Sequence, residues 1–333
     1  LNNRSEKKTG GNKKMKKMML IALLILFACS GFLSAAPGSF HPNWIPAQSK
    51  WLIHFDQATF SQTKLFSIID RHWQDDEHSI QSEILDELNI DISKDLIGLT
   101  VIGLDRIAKG DKIVVILQGK FDKDYMVKRI KNKEKKAVEK VIAGLKVLCW
   151  DGDNHIFFPE KDVIVFCETD SGIEEIMNLW QGKARAISAS SPLLRILDEA
   201  PHNAFVRAAV TDVSALTQFA PKTMVLDSAS VAFFMALEAK DNLSMMLKLV
   251  TESEKKAQNL QQIITGLRAL VSLKAFDEDE DVSQFADLLN GLEISTEGKR
   301  LVMNFDYPVE KIGKLINGMK HKKRKVIRED EED

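Results

Sequence analysis

The chain has 333 residues, 44% hydrophobic and 28% charged, with 46 Lys and Arg against 48 Asp and Glu and three Cys. That composition excludes a wholly disordered chain, a collagen-like repeat and a disulfide-dense mini-protein. One apolar run alone is long enough to matter to a membrane, which excludes a polytopic membrane protein.

In chain order, residues 1–14 are polar and patternless and read as a leader without structural role. Residues 15–36 read as a secretory signal. Lys13, Lys14, Lys16 and Lys17 form its positive start, Met18 to Ala28 give eleven apolar residues, and the small residues Ser34, Ala35 and Ala36 follow. Two processing readings stand. Cleavage between Ser34 and Gly38 releases a soluble protein. Alternatively, Leu26-Phe27-Ala28-Cys29 resembles a bacterial lipobox, which makes Cys29 the lipidated first residue. Both readings place the chain in the periplasm or outside the cell, touching membrane only through a signal or a lipid anchor. Residues 1–36 hold seven basic residues and one acid, so the remainder carries 39 basic and 47 acidic residues, a net of −8. Such a surface has no general attraction for nucleic acid.

The first predicted unit covers residues 50–183. Trp51 to Phe55 is an apolar strand closed by Asp56, a natural cap for the helix after it, because a carboxylate accepts the free N–H groups of a first turn. Leu99–Leu104 and Ile113–Leu117 read as a hairpin around Lys109-Gly110-Asp111. Asp122 opens a second helix carrying Met126 and Ile130. Strands follow at Val147–Trp150, Ile156–Phe158 and Val163–Cys167, then a closing helix from about Ile173 to Trp180. Cys149 and Cys167 fall on strands with another strand between them. Their separation of about 10 Å is too long for a disulfide, so two buried thiols are expected.

The second predicted unit covers residues 203–318 in the same order. Phe205–Val210 is a strand, and Asp212 caps a short helix. Val231–Ala239 and Leu243–Val250 form a hairpin around Lys240-Asp241-Asn242. A long helix carries Leu260, Ile263, Ile264, Leu267, Leu270 and Val271 at helical spacing. Leu292–Ser295 and Leu301–Phe305 form a last hairpin before a helix from Val309. The closing helices align without a gap, Ile173–Gly182 with Val309–Gly318, four of ten positions identical. Residues 319–333, almost all charged, read as a disordered solvating tail.

The expected fold is therefore α+β. Two tandem related units each carry an antiparallel sheet with helices mainly on one face, in the β-α-β-β-α-β order of a ferredoxin-like unit plus extra strands. The layout resembles a diffuse class of exported bacterial proteins of unknown function. The signal, the strand ending in Asp56, Gly103-Leu104-Asp105, Gln118 to Asp122 and the late helix followed by a hairpin carry the resemblance. It implies a cell-envelope location and a duplicated α+β fold, and no activity.

Candidate chemistry is sparse. His54 and Asp56 share one face of a strand, a pairing that serves general-base chemistry, but Asp56 already has a cap to make. The segment His72 to His78 collects two His with Asp75, Asp76 and Glu77. It is a weak metal candidate, because residues six apart on a helix face different ways. The chain contains no His-Glu-x-x-His, no Gly-x-Ser-x-Gly and no Gly-rich phosphate loop, so no catalytic residue, metal ligand or cofactor is assigned. Met224, Met235, Met245, Met246 and Met303 concentrate in the second unit, where they fill a core or line an apolar groove. The leading expectation is a non-enzymatic envelope protein that binds or scaffolds a partner. A carrier of an apolar ligand, lipid or peptide, on Met235, Met245, Met246 and Met303 is second, and a hydrolase or metal enzyme third.

Overall fold

The computed structural model describes residues 40–74, 84–85, 88–104, 113–150, 154–213, 229–274 and 291–314. Residues 15–36 with Cys29, the side chains of the His72–His78 cluster, Met224 and residues 319–333 lie outside the described residues.

Strand β1 (Trp51–Asp56) ends where Asp56 accepts from Thr59 N at 2.8 Å and so caps α1 (Gln57–Phe60). Helices α2 (Lys64–Gln74) and α3 (Ile92–Asp95) lead to β2 (Leu96–Gly103), which pairs with β3 (Ile113–Gly119). Asp122 caps α4 (Lys123–Lys133). Four strands follow: β4 (Val138–Ile142), β5 (Leu145–Trp150), β6 (Asn154–Glu160) and β7 (Val163–Cys167). Helices α5 (Asp170–Trp180) and α6 (Pro192–Leu197) close this half. The second half holds β8 (Val206–Val210), β9 (Ala229–Ala239), β10 (Asn242–Thr251), α7 (Glu254–Lys274), β11 (Leu292–Glu297), β12 (Arg300–Pro308) and a short helix, α8, at 309–314.

The twelve strands of the described residues join one antiparallel sheet in the order β11-β12-β10-β9-β8-β1-β2-β3-β7-β6-β5-β4. The halves meet where β1 pairs with β8, Ile53 opposite Ala208 and His54 opposite Arg207. Outward from that seam the strand orders correspond, β1-β2-β3-β7-β6 on one side and β8-β9-β10-β12-β11 on the other.

Two cores result. On the face bearing Trp51 and Phe55, here the upper face, helices α1 to α4 and α8 bury Phe60, Phe66, Ile92, Met126 and Val309. Farther out, α7 covers Leu249 and Leu301 with Leu260. On the lower face, which bears Leu52, α5 and α6 pack Ile173, Ile176, Leu193 and Leu197 onto Ile102, Val114 and Val165. Helices thus lie on both faces, which corrects the one-sided arrangement expected from the sequence. The reason is in the strands: β2 and β7 are apolar on both faces, and a sheet apolar on both faces needs two covers.

The ferredoxin-like order is also corrected. A split βαβ unit keeps its first two strands parallel and apart, with the third strand inserted antiparallel between them. Here the connection through α1 to α3 folds back, β2 lies antiparallel to β1, and β8 takes the other side of β1. The two closing helices that align best in sequence pack on opposite faces, α5 below the sheet and α8 above it.

Candidate functional site

Among the described residues, an open groove of about 820 Å³ lies at the N-terminal end of α4. It is lined by Asn89, Asp95, the segment from Lys120 to Asp124, and the turn from Phe158 to Lys161 between β6 and β7. The chain is drawn tight beneath it. Gly119 N donates to Asp162 O at 2.9 Å and Lys120 N to Asp95 O at 2.7 Å. A Cβ at position 119 would sit 2.1 Å from Asp95 O, so only glycine permits this approach. Asp122 is committed to capping α4, accepting from Tyr125 N at 2.9 Å. Lys123 lies over the Phe158 ring, 5.1 Å from its centroid, and Glu160 accepts from Trp180 Nε1 at 3.3 Å. The lining thus offers Lys120 and Lys161, carboxylates and two Phe rings on one exposed surface. In the sequence, Gln118 to Asp122 carries a family resemblance and a helix start and no candidate site. Its signal as a site, a glycine flanked by Lys-Phe-Asp, acquires meaning only beside Asp95 and Lys161.

The His54/Asp56 pair is in place but otherwise occupied. His54 is 1% exposed and its Nδ1 hydrogen-bonds Thr100 Oγ1 at 3.0 Å. Desolvation, with Arg207 and then His41 adding repulsion, lowers its pKa to about 3, so the imidazole is neutral. Asp56 serves as a cap. Across the seam, Arg207 gives Nη2 to His202 O at 3.0 Å and to Pro201 O at 3.4 Å, and burial pulls its pKa below the usual range. These side chains build the seam rather than a reactive centre.

Cys149, His155 and Cys167 stand in register across β5, β6 and β7. The cysteines are buried free thiols separated by a whole strand, as their spacing predicts. Burial pushes both thiols up, away from the reactive thiolate. His155 Nε2 meets Asp170 Oδ1 at 2.5 Å, joining β6 to the first turn of α5. Among the described residues no three His, Cys, Asp or Glu side chains form a group able to hold a metal.

The four methionines proposed as an apolar-ligand surface do not come together. Met235 and Met246 are opposite one another and face the lower side with Phe233 and Leu237. Met245 and Met303 face the upper side, one in the central core and the other beneath α7. Successive strand residues point to opposite faces, so Met245 and Met246 cannot share a groove. Trp51 is core as well. Its indole lies over Gly103, where a Cβ would meet Nε1 at 1.7 Å. Trp44 stacks on Trp180 with centroids 5.5 Å apart. No described helix is long and apolar enough to cross a membrane.

No family model matches the chain, and no curated protein matches it. Among solved structures, crystal form III of TP0453 superposes with a TM-score of 0.51 at 10% identity, over 85% of this chain and all of that one. Crystal forms IV and I of TP0453 give TM-scores of 0.49 and 0.46, each at 10% identity over 84% of this chain and 97% and 98% of theirs. The likeness to crystal form III is one of fold: a large antiparallel sheet with helices, α+β in class.

Proposed function

We propose that this is an exported cell-envelope protein that works by binding rather than by catalysis, and that the groove at the start of α4 takes an extended polypeptide segment. The observation that carries the reading is the groove's lining, charges of both signs beside the Phe121 and Phe158 rings on a rigid sheet end. Such a surface suits a partner with alternating charged and apolar side chains. The commitment of His54 and Asp56 to the seam and to a helix cap favours binding over hydrolysis. The tripartite residues 13–36 support export. The matching strand orders on either side of the seam support an ancient duplication, and the opposite placement of α5 and α8 marks divergence after it.

The test is selection of peptides from a displayed library against the whole protein, followed by calorimetry on variants. Selected peptides are expected to bind Lys120→Glu and Lys161→Glu at least tenfold more weakly and His54→Asn unchanged. Equal affinity for all variants, or hydrolysis of the peptides, overturns the reading. Mass spectrometry of the chain recovered from its own cells is expected to find a terminus between Cys29 and Gly38. An intact signal on a cytosolic protein overturns the placement.

A further inference from the structure

The two outer edges of the sheet are finished differently. At β11 the backbone is already occupied. Gly291 O accepts from Asp306 N on the β12 side, so by alternation the carbonyls of Leu292 and Ile294 point away from the sheet. Helix α7 takes both, Arg268 Nη1 donating to Leu292 O at 2.6 Å and Gln261 Nε2 to Ile294 O at 3.0 Å. This is how folded proteins protect a strand edge from further pairing.

At the other end β4 pairs with β5 and is the last strand among the described residues. Val138, Glu139, Lys140 and Val141 are all exposed, Val138 at 50% and Val141 at 72%. Lys140 follows Val138 onto the lower face, because Val138 lies opposite Cys149 of the lower core. Glu139 turns upward and meets Lys131 of α4 at 2.6 Å. Lys133, Lys135, Lys136 and Lys146 are exposed around the same edge. The edge is therefore apolar in part and strongly basic overall.

We infer that β4 is a strand-addition site for an acidic, extended segment of a partner polypeptide, with acids on one face and β-branched residues on the other. Main-chain hydrogen bonds to an open edge supply affinity, and side-chain chemistry supplies choice. An acid beside Lys140 neutralises the charge that guards the edge, and an apolar residue beside Val141 covers it. Two β4 edges from separate copies would instead bring like charges together, which sets a second copy aside as the occupant. This site lies beyond the other end of α4 from the groove and does not depend on the groove's reading.

The experiment uses the full chain with two synthetic probes, an alternating Glu-Val peptide and its Lys-Val counterpart, at low salt. The acidic probe is expected to bind at least tenfold more tightly and to slow hydrogen exchange at the amides of residues 138–142. Lys140→Glu is expected to remove that preference, Lys140→Gln to weaken it, and His54→Asn, in the seam, to leave it intact. Equal binding of the two probes overturns the inference, as does protection that appears only at the groove. Concentration-dependent self-association altered by Lys140→Glu also overturns it, by giving the edge to a second copy.

Discussion

At the scale of single residues, folding alters the chemistry of His54 strongly. Water is gone from around it, and Arg207 and His41 further disfavour a positive charge there. Its folded pKa of about 3 lies below the unfolded 6.5. Between these values the unfolded chain binds a proton that the folded chain refuses. Stability should therefore be fully present above about pH 6.5 and fall as pH drops toward 3, by at most about 1.4 kcal/mol per pH unit from this group. Asn places an oxygen where Nδ1 stands and keeps a partner for Thr100. Urea denaturation across pH 3.5–7 should then show a shallower acid slope for His54→Asn than for the parent. Identical slopes would mean that His54 is protonated in the fold or is not buried.

At the scale of elements, the caps set where helices begin. Asp56, Asp122 and Ser191 cap locally, each accepting from an N–H three residues on. Helix α2 has a local cap too, Thr63 Oγ1 accepting from Phe66 N at 3.0 Å, and a second one from outside. Its first N–H groups, Lys64 N and Leu65 N, donate to Glu238 Oε1 at 2.9 Å and Oε2 at 2.7 Å, from β9 in the other half. Glu238→Ala should cost about 1–2 kcal/mol and Glu238→Gln less, since an amide oxygen still accepts one bond. Midpoints of guanidinium unfolding would measure both, and a neutral Glu238→Ala would remove the cap from the account.

That cap also marks what the sequence could carry. Strand β1 with its Asp56 cap, the β2–β3 hairpin and the β9–β10 hairpin were legible, because alternation and turn residues are local. The Lys240-Asp241 turn is written in the chain too, both residues having positive φ. Glu238 as a cap was not legible, since its helix lies 173 residues away. Strand β4 was missed because Val138-Glu139-Lys140-Val141-Ile142 shows no wholly apolar face; it is an edge on which Ile142 alone is half-buried. Helix α6 was not legible, because its six residues behind the Ser191 cap are too few to show a helical period. The groove drew on separated segments, each unremarkable alone, and the methionines misled because their number was read without their parity along the strands.

At the scale of the whole molecule, the seam makes one body of two halves. Phe205, from the second half, packs on Phe60 at 4.8 Å and Phe55 at 6.4 Å in the first. Asp56 N donates to Phe205 O at 2.8 Å, and Lys64 reaches Glu310 at 3.0 Å. A shared core of this kind should unfold in a single transition. All five tryptophans lie in the first half, at positions 44, 51, 73, 150 and 180. Their fluorescence therefore reports that half alone, whereas far-ultraviolet dichroism reports both. Phe205→Ala removes a buried ring contributed by the second half and should cost about 3–5 kcal/mol. If the seam couples the halves, the fluorescence midpoint falls with the dichroism midpoint, and the two curves stay superimposed. If each half stands by itself, the dichroism curve splits in two and the fluorescence transition keeps its parent midpoint, which would refute the shared core despite the continuous sheet.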